Sequence, residues 1–152
     1  MMVDILAEEK TKDGRKVIRV AKENLIELMK ELKSQGYNLS LTTAVDYIDR
    51  IEVVYHVYNM QKNEYIIVKT ETRDNHVPSL TSLWNAANWD EREEYDLVGV
   101  IFDGHPNLKR LFLPEGWVGH PLRKNYDLSK AQYVNMDEEG NDYVTFDPEG
   151  GW

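Results

Sequence analysis

Apolar residues along this chain recur at two spacings, and the change from one to the other outlines a fold. Leu25, Leu28, Met29 and Leu32 fall at i, i+3, i+4 and i+7, the single stripe of a helix predicted over residues 23–33. Gly36 lies just beyond and suits the end of that helix. A short run at 16–20 precedes it and reads as a strand. After the helix the period becomes two. Ile51, Val53, Tyr55 and Val57 alternate with more polar neighbours such as Glu52 and His56, as in a sheet with one covered face. Runs at 39–47, 51–59 and 65–70 are separated by polar turns at 49–50 and 61–64, of hairpin length. The pattern predicts an antiparallel meander covered by helix. That is an α+β two-layer sandwich.

Beyond residue 78 the signals shorten. Ser79 is placed to cap a helix running through Trp84 and Ala87. A further helix is predicted over 89–98, with Asp90, Glu91, Glu93 and Glu94 at the positive end of its dipole and Gly99 at its close. Residues 100–102 suit an edge strand, and loop is expected from Gly104 onward. Residues 128–152 are acidic, lack a helical stripe and end in Pro-Glu-Gly-Gly-Trp. They divide from the domain at 1–127 as an irregular C-terminal tail, mobile alone and extended on a partner.

Composition excludes some chemistry. The chain has no cysteine, so it cannot by itself ligate a thiolate zinc site or an iron–sulfur cluster. Its longest strongly apolar run, 97–102, is far short of the roughly 20 residues that cross a bilayer. The first ten residues carry acids where a signal peptide carries bases, which predicts a soluble, cytoplasmic chain. A net charge of −9 disfavours nonspecific nucleic-acid or anionic-membrane binding. Locally, Lys109, Arg110, Arg123 and Lys124 make a cationic island between acidic segments at 88–104 and 125–152. It predicts either internal salt bridging or a charged docking surface for a protein.

Two clusters carry most of the candidate chemistry. Gly104-His105-Pro106 and Gly119-His120-Pro121 repeat a stiff corner, each followed by a leucine and a basic pair, with Trp117 between them as a buried anchor. Each imidazole has three readings: holding its corner by hydrogen bonds, facing acids of a partner, or serving as metal ligand or general base. The last would make the chain a free-standing His-dependent metallohydrolase, although the short ligand spacing of known zinc sites is missing. The second cluster, Asp90 to Asp96, reads as a solvated, salt-bridged helix face. Arg92 is spaced to bridge Asp96, while Glu91 and Glu93 are expected to reach Arg110 or Arg123. No phosphate loop, nucleophile elbow or dinucleotide fingerprint is present in the sequence.

The run Trp84-Asn85-Ala86-Ala87-Asn88-Trp89-Asp90-Glu91-Arg92-Glu93, then Tyr95-Asp96-Leu97, Gly99, Phe102 and the first corner, resembles a signature of the thirty-kilodalton subunit family of respiratory complex I. It continues through Leu108, Arg110, Leu113-Pro114 and Trp117 to Gly119-His120-Pro121-Leu122-Arg123-Lys124, and a looser likeness starts near Val17. Relatives of that subunit occur in energy-converting hydrogenases and F420H2 dehydrogenases. The resemblance implies a component of the hydrophilic arm that binds no cofactor or metal and has no catalytic residue. It further implies a place on the cytoplasmic face of the membrane, clamping the quinone-site large subunit (the homologue of the hydrogenase large subunit), with the C-terminal segment lying along that partner. Donors in such complexes include NADH, ferredoxin and F420H2. Structural and interface roles are implied for Glu91, Arg92, Glu93, Asp96, Gly104, His105, Pro106, Arg110, Trp117, Gly119, His120, Pro121, Arg123 and Lys124. Two departures stand out: Asn125-Tyr126-Asp127 replaces the usual acid, Tyr and Pro, and Lys109 stands where Arg is common.

Overall fold

The structure, a computed structural model, describes residues 3–147. Its elements run β1 (Ala7–Lys10), β2 (Lys16–Arg19), α1 (Leu25–Ser34), β3 (Asn38–Asp46), β4 (Ile51–Asn59) and β5 (Glu64–Thr72). They continue with β6 (His76–Pro78), α2 (Ala87–Val98), β7 (Ile101–Asp103), β8 (Gln132–Met136) and β9 (Asp142–Phe146). The main sheet has the order β1-β2-β5-β4-β3. Strands β3, β4 and β5 form the antiparallel meander that their alternation predicts, with Val53 facing Ala44 on one side and Thr70 on the other. The helical stripe of α1 is buried, and with Val53, Tyr55, Val57, Ile18 and Val68 it forms one apolar core. Each fully buried Leu or Val contributes about 1.5–3 kcal/mol, so this face of the sheet dominates stability.

Four features depart from the pattern. A strand β1 precedes β2, and β2 lies parallel to β5 rather than extending the meander antiparallel. The helix expected after Ser79 does not form, and residues 81–83 and 85–86 are turns. The Ser79 hydroxyl instead accepts from the Thr81 N–H at 3.1 Å and donates to Glu91 at 2.7 Å. The short strand after Gly99 is an edge strand as expected, but of a separate parallel ladder with β6 and not of the main sheet. Finally, the tail is not wholly irregular, because β8 and β9 make an antiparallel hairpin. The terminal Glu149-Gly150-Gly151-Trp152 and Pro148, part of that expected tail, lie outside the described residues, as does the very start of the acidic N-terminus.

Helix α2 packs beside β3, the strand at one edge of the sheet. The side chain of Asp90 accepts the Thr42 N–H at 3.1 Å, and Glu94, one helical turn on, accepts that of Ala44. These two donors lie on alternate residues of β3, so carboxylates a turn apart satisfy an edge that otherwise invites another strand.

Candidate functional site

The C-terminal end of α2 carries a buried polar hub. Asp96 is fully buried, and its Oδ2 accepts three consecutive backbone N–H groups, from Leu111 (3.1 Å), Phe112 (2.7 Å) and Leu113 (3.0 Å). Its Oδ1 takes Arg110 Nη1 at 2.9 Å. The second arm of Arg110 donates to the carbonyls of Trp117 and Gly119, both at 2.8 Å. One carboxylate and one guanidinium thus fold the loop 110–119 into a closed turn against the helix. Burial pushes the Asp96 carboxyl up, but the Leu113 N–H, Arg110, Phe112 and Leu111 together hold it below the usual carboxylate range.

Both Gly-His-Pro corners hang from the same helix. His105 donates through Nε2 to the Asn88 carbonyl (3.2 Å) and accepts the Asn107 N–H at Nδ1 (3.0 Å), so both ring nitrogens are engaged. His120 donates through Nδ1 to the Asp96 carbonyl at 2.9 Å. Burial of that ring, with Arg110 and Arg123 nearby, lowers its pKa despite the carbonyl contact. The Leu122 N–H donates to the Leu97 carbonyl at 2.7 Å and fastens the second corner further. Of the three readings left open for these imidazoles, the geometry supports the corner-holding one. Among the described residues, no group of three His, Asp or Glu side chains is arranged to hold a metal ion.

The remaining candidates make separate contacts. Arg123 donates to Asn75 Oδ1 (3.2 Å) and the Val98 carbonyl (3.3 Å), and it pairs with Asp46 at 3.4 Å. The Lys124 N–H donates to the same Asp46 carboxylate at 2.8 Å, so the second corner is tied to the end of β3. Arg110 and Arg123 therefore belong to internal ion pairs, and only Lys109 and Lys124 of the cationic island are exposed. Arg92 does not bridge Asp96; it donates to the carbonyls of Lys109 (3.1 Å) and Arg110 (3.0 Å). Glu91 reaches neither Arg110 nor Arg123. It is buried and accepts Ser79 Oγ at 2.7 Å and the Leu80 N–H at 2.6 Å. Glu93 is half-buried and joins neither arginine. Trp117 is half-buried rather than buried, with Nε1 donating to the Tyr126 hydroxyl at 3.2 Å. Gly104 has φ +88, as a tight corner requires, while Pro106 is exposed and Pro121 half-buried.

Sequence reasoning missed Glu94, Asp46 and Gly99 as site residues. Ala87, Glu91, Glu94 and Val98 are all buried and fall at i, i+4, i+7 and i+11, so two carboxylates sit on the inward stripe of α2. That stripe was the available signal. Gly99 has φ +86, and a Cβ there would lie 2.7 Å from the His120 ring. Gly99→Ala is expected to destabilise the chain by about 1–3 kcal/mol through backbone strain and displacement of His120, read from urea unfolding. An unchanged midpoint would show that the corner yields freely.

The model of the respiratory-chain NADH dehydrogenase 30 kDa subunit family matches residues 18–132, a span that holds the meander, α2 and both corners. The chain belongs to that family. It is 50% identical over 115 residues to the C-type subunit of the NADH-quinone oxidoreductase of Moorella thermoacetica, covering 72% of this chain and 78% of the relative. To the equivalent subunit from Citrifermentans bemidjiense it is 46% identical over 123 residues, 76% of each. Among solved structures it is similar to a trypsin-resistant fragment (1-134) of Nqo5, at a TM-score of 0.64 and 30% identity, covering 67% of this chain and 89% of the fragment. It is also similar to a chain of a membrane-bound sulfane sulfur reductase, an archaeal respiratory membrane complex (TM-score 0.66, 25% identity, 80% and 77% covered). This 30 kDa-family chain is thus of a type found in multi-subunit, complex I-like assemblies. No helix among its described residues is long and apolar enough to cross a membrane.

Proposed function

We propose that this chain is a non-catalytic component of the peripheral arm of a proton-translocating NADH:quinone oxidoreductase, where it scaffolds the quinone-site large subunit. It stands on the cytoplasmic face of the membrane and carries no electrons itself. One observation carries the reading: the groups with catalytic potential are spent on holding backbone. Asp96 and Arg110 close the loop 110–119, His105 and His120 bind carbonyls, and Asp46 fastens the second corner. Such a set of fixed loops is a rigid docking platform rather than a reaction centre. Relatives at 46% and 50% identity named for NADH and quinone support this arm over the sulfane sulfur reductase likeness at 25%.

The acidic segment from 128 onward supports a second contact. Its hairpin exposes Tyr133, Val134, Met136 and Tyr143, and a two-stranded hairpin is marginal in water without something to cover it. We place it along the quinone-site large subunit. Affinity isolation of the tagged chain from native membranes is expected to recover that large subunit and its hydrophilic-arm neighbours. A chain ending at residue 127 is expected to lose about tenfold in that recovery while keeping most of its thermal stability. Recovery without any such partner would overturn the assignment, and equal recovery by the shortened chain would move the contact elsewhere.

A further inference from the structure

The chain has seven arginines, and six of them pair with a carboxylate of the described residues. Arg92 is the exception. Its guanidinium lies 5.0 Å from the ring centre of Trp89 and donates to two backbone carbonyls, so among the described residues its charge is not matched by an acid, in a chain of net charge −9. Trp89 is 58% exposed on α2, while the carbonyls that hold Arg92 belong to Lys109 and Arg110, the latter two residues before Phe112, which is 63% exposed. Lys109 is exposed as well. An indole under a guanidinium, whose carbonyl acceptors come from an exposed lysine and from a residue two before an exposed phenylalanine, joins apolar area to positive charge that no acid of the described residues matches. Aromatic and arginine side chains of this kind dominate interface energetics.

We propose that Trp89, Arg92, Lys109 and Phe112 form a docking surface for a segment of a neighbouring protein of the assembly that carries a carboxylate beside an apolar side chain. The indole and Phe112 cover the apolar group, and the carboxylate takes the open side of Arg92 and Lys109. This rests on the chain being part of a larger assembly, and it assigns a contact distinct from the hairpin. A photoreactive benzoylphenylalanine placed at position 89 of the full chain is expected to cross-link, in the complex isolated from membranes, to a peptide of another component bearing Asp or Glu within about two residues. Trp89→Ala, co-expressed with the wild-type chain under a second tag, is expected to be about tenfold under-represented in that complex. Its melting temperature should stay unchanged, because the ring is mostly in solvent. Cross-linking to lipid, to this chain alone or to a peptide without an acid would overturn the proposal, as would equal incorporation. Should the wild-type chain come out of the membrane unaccompanied, the scaffold reading itself falls, and this contact falls with it.

Discussion

Asp96→Ala is expected to destabilise the chain by about 3–5 kcal/mol, the scale for removing one partner of a buried ion pair. The Arg110 side chain is only 13% exposed, and among the described residues Asp96 is its carboxylate partner. Without it the guanidinium keeps its carbonyl acceptors at Trp117 and Gly119 but loses its counter-charge. The N–H groups of Leu111, Phe112 and Leu113 lose their acceptor together. Each orphaned donor costs about 1–3 kcal/mol when dry, but this loop borders solvent, so water offsets part of the sum. Asp96→Asn keeps the shape and removes the charge, and about 2–3 kcal/mol is expected, the scale of a hydrogen bond to a charged group. Urea unfolding measures both, as a lower midpoint at unchanged slope. Hydrogen exchange at 111–113 should rise in parallel. A loss below about 1 kcal/mol with protection retained would show that the loop closes without the hub.

The logic of that hub explains what could be read from the sequence. Strands β4 and β5 and helix α1 were legible because their partners are apolar and their periodicity states which face is covered. The long family signature marked α2 and the two corners as one unit, and the structure brings them together. The acid-rich helix misled because a run of carboxylates ordinarily signals a solvated face. Here the donors that permit burial lie far along the chain: Leu80 for Glu91, Ala44 for Glu94, and 110–113 for Asp96. No local rule predicts such pairings. The same limit hid the parallel pairing of β2 with β5, which depends on how α1 and the meander return the chain. Ser79 carried a true capping signature, yet its hydroxyl found Glu91 across the fold and the predicted helix was lost.

Buried carboxyls without a cation make a second, oppositely signed prediction, in which stability falls as pH rises. Burial, then the charge of Glu93, pushes Glu94 up to about 8 even though the Ala44 N–H opposes it. Burial likewise raises Glu91 to about 7, against the hydrogen bonds of Ser79 and Leu80. A carboxyl raised in the folded state is protonated there while its unfolded counterpart, at 4.5, is already ionised. The folded chain then binds more protons, so each group lowers stability by up to about 1.4 kcal/mol per pH unit between 4.5 and its folded value. Asp46 and Asp96 are lowered, and their contribution is lost only on acidification below the ordinary carboxylate range. His56 and His120, lowered by burial, act in the opposite direction, adding stability as pH rises toward 6.5. Comparison with a neutral isostere separates these effects. Glu94→Gln keeps an acceptor for the Ala44 N–H and removes the titration. It is expected to match the wild type near pH 4.5 and to exceed it by about 2 kcal/mol or more at about pH 8. Denaturant unfolding across that range measures the difference. A variant less stable than wild type at the alkaline end would mean that the ionised carboxylate, and not its protonated form, holds the edge of β3.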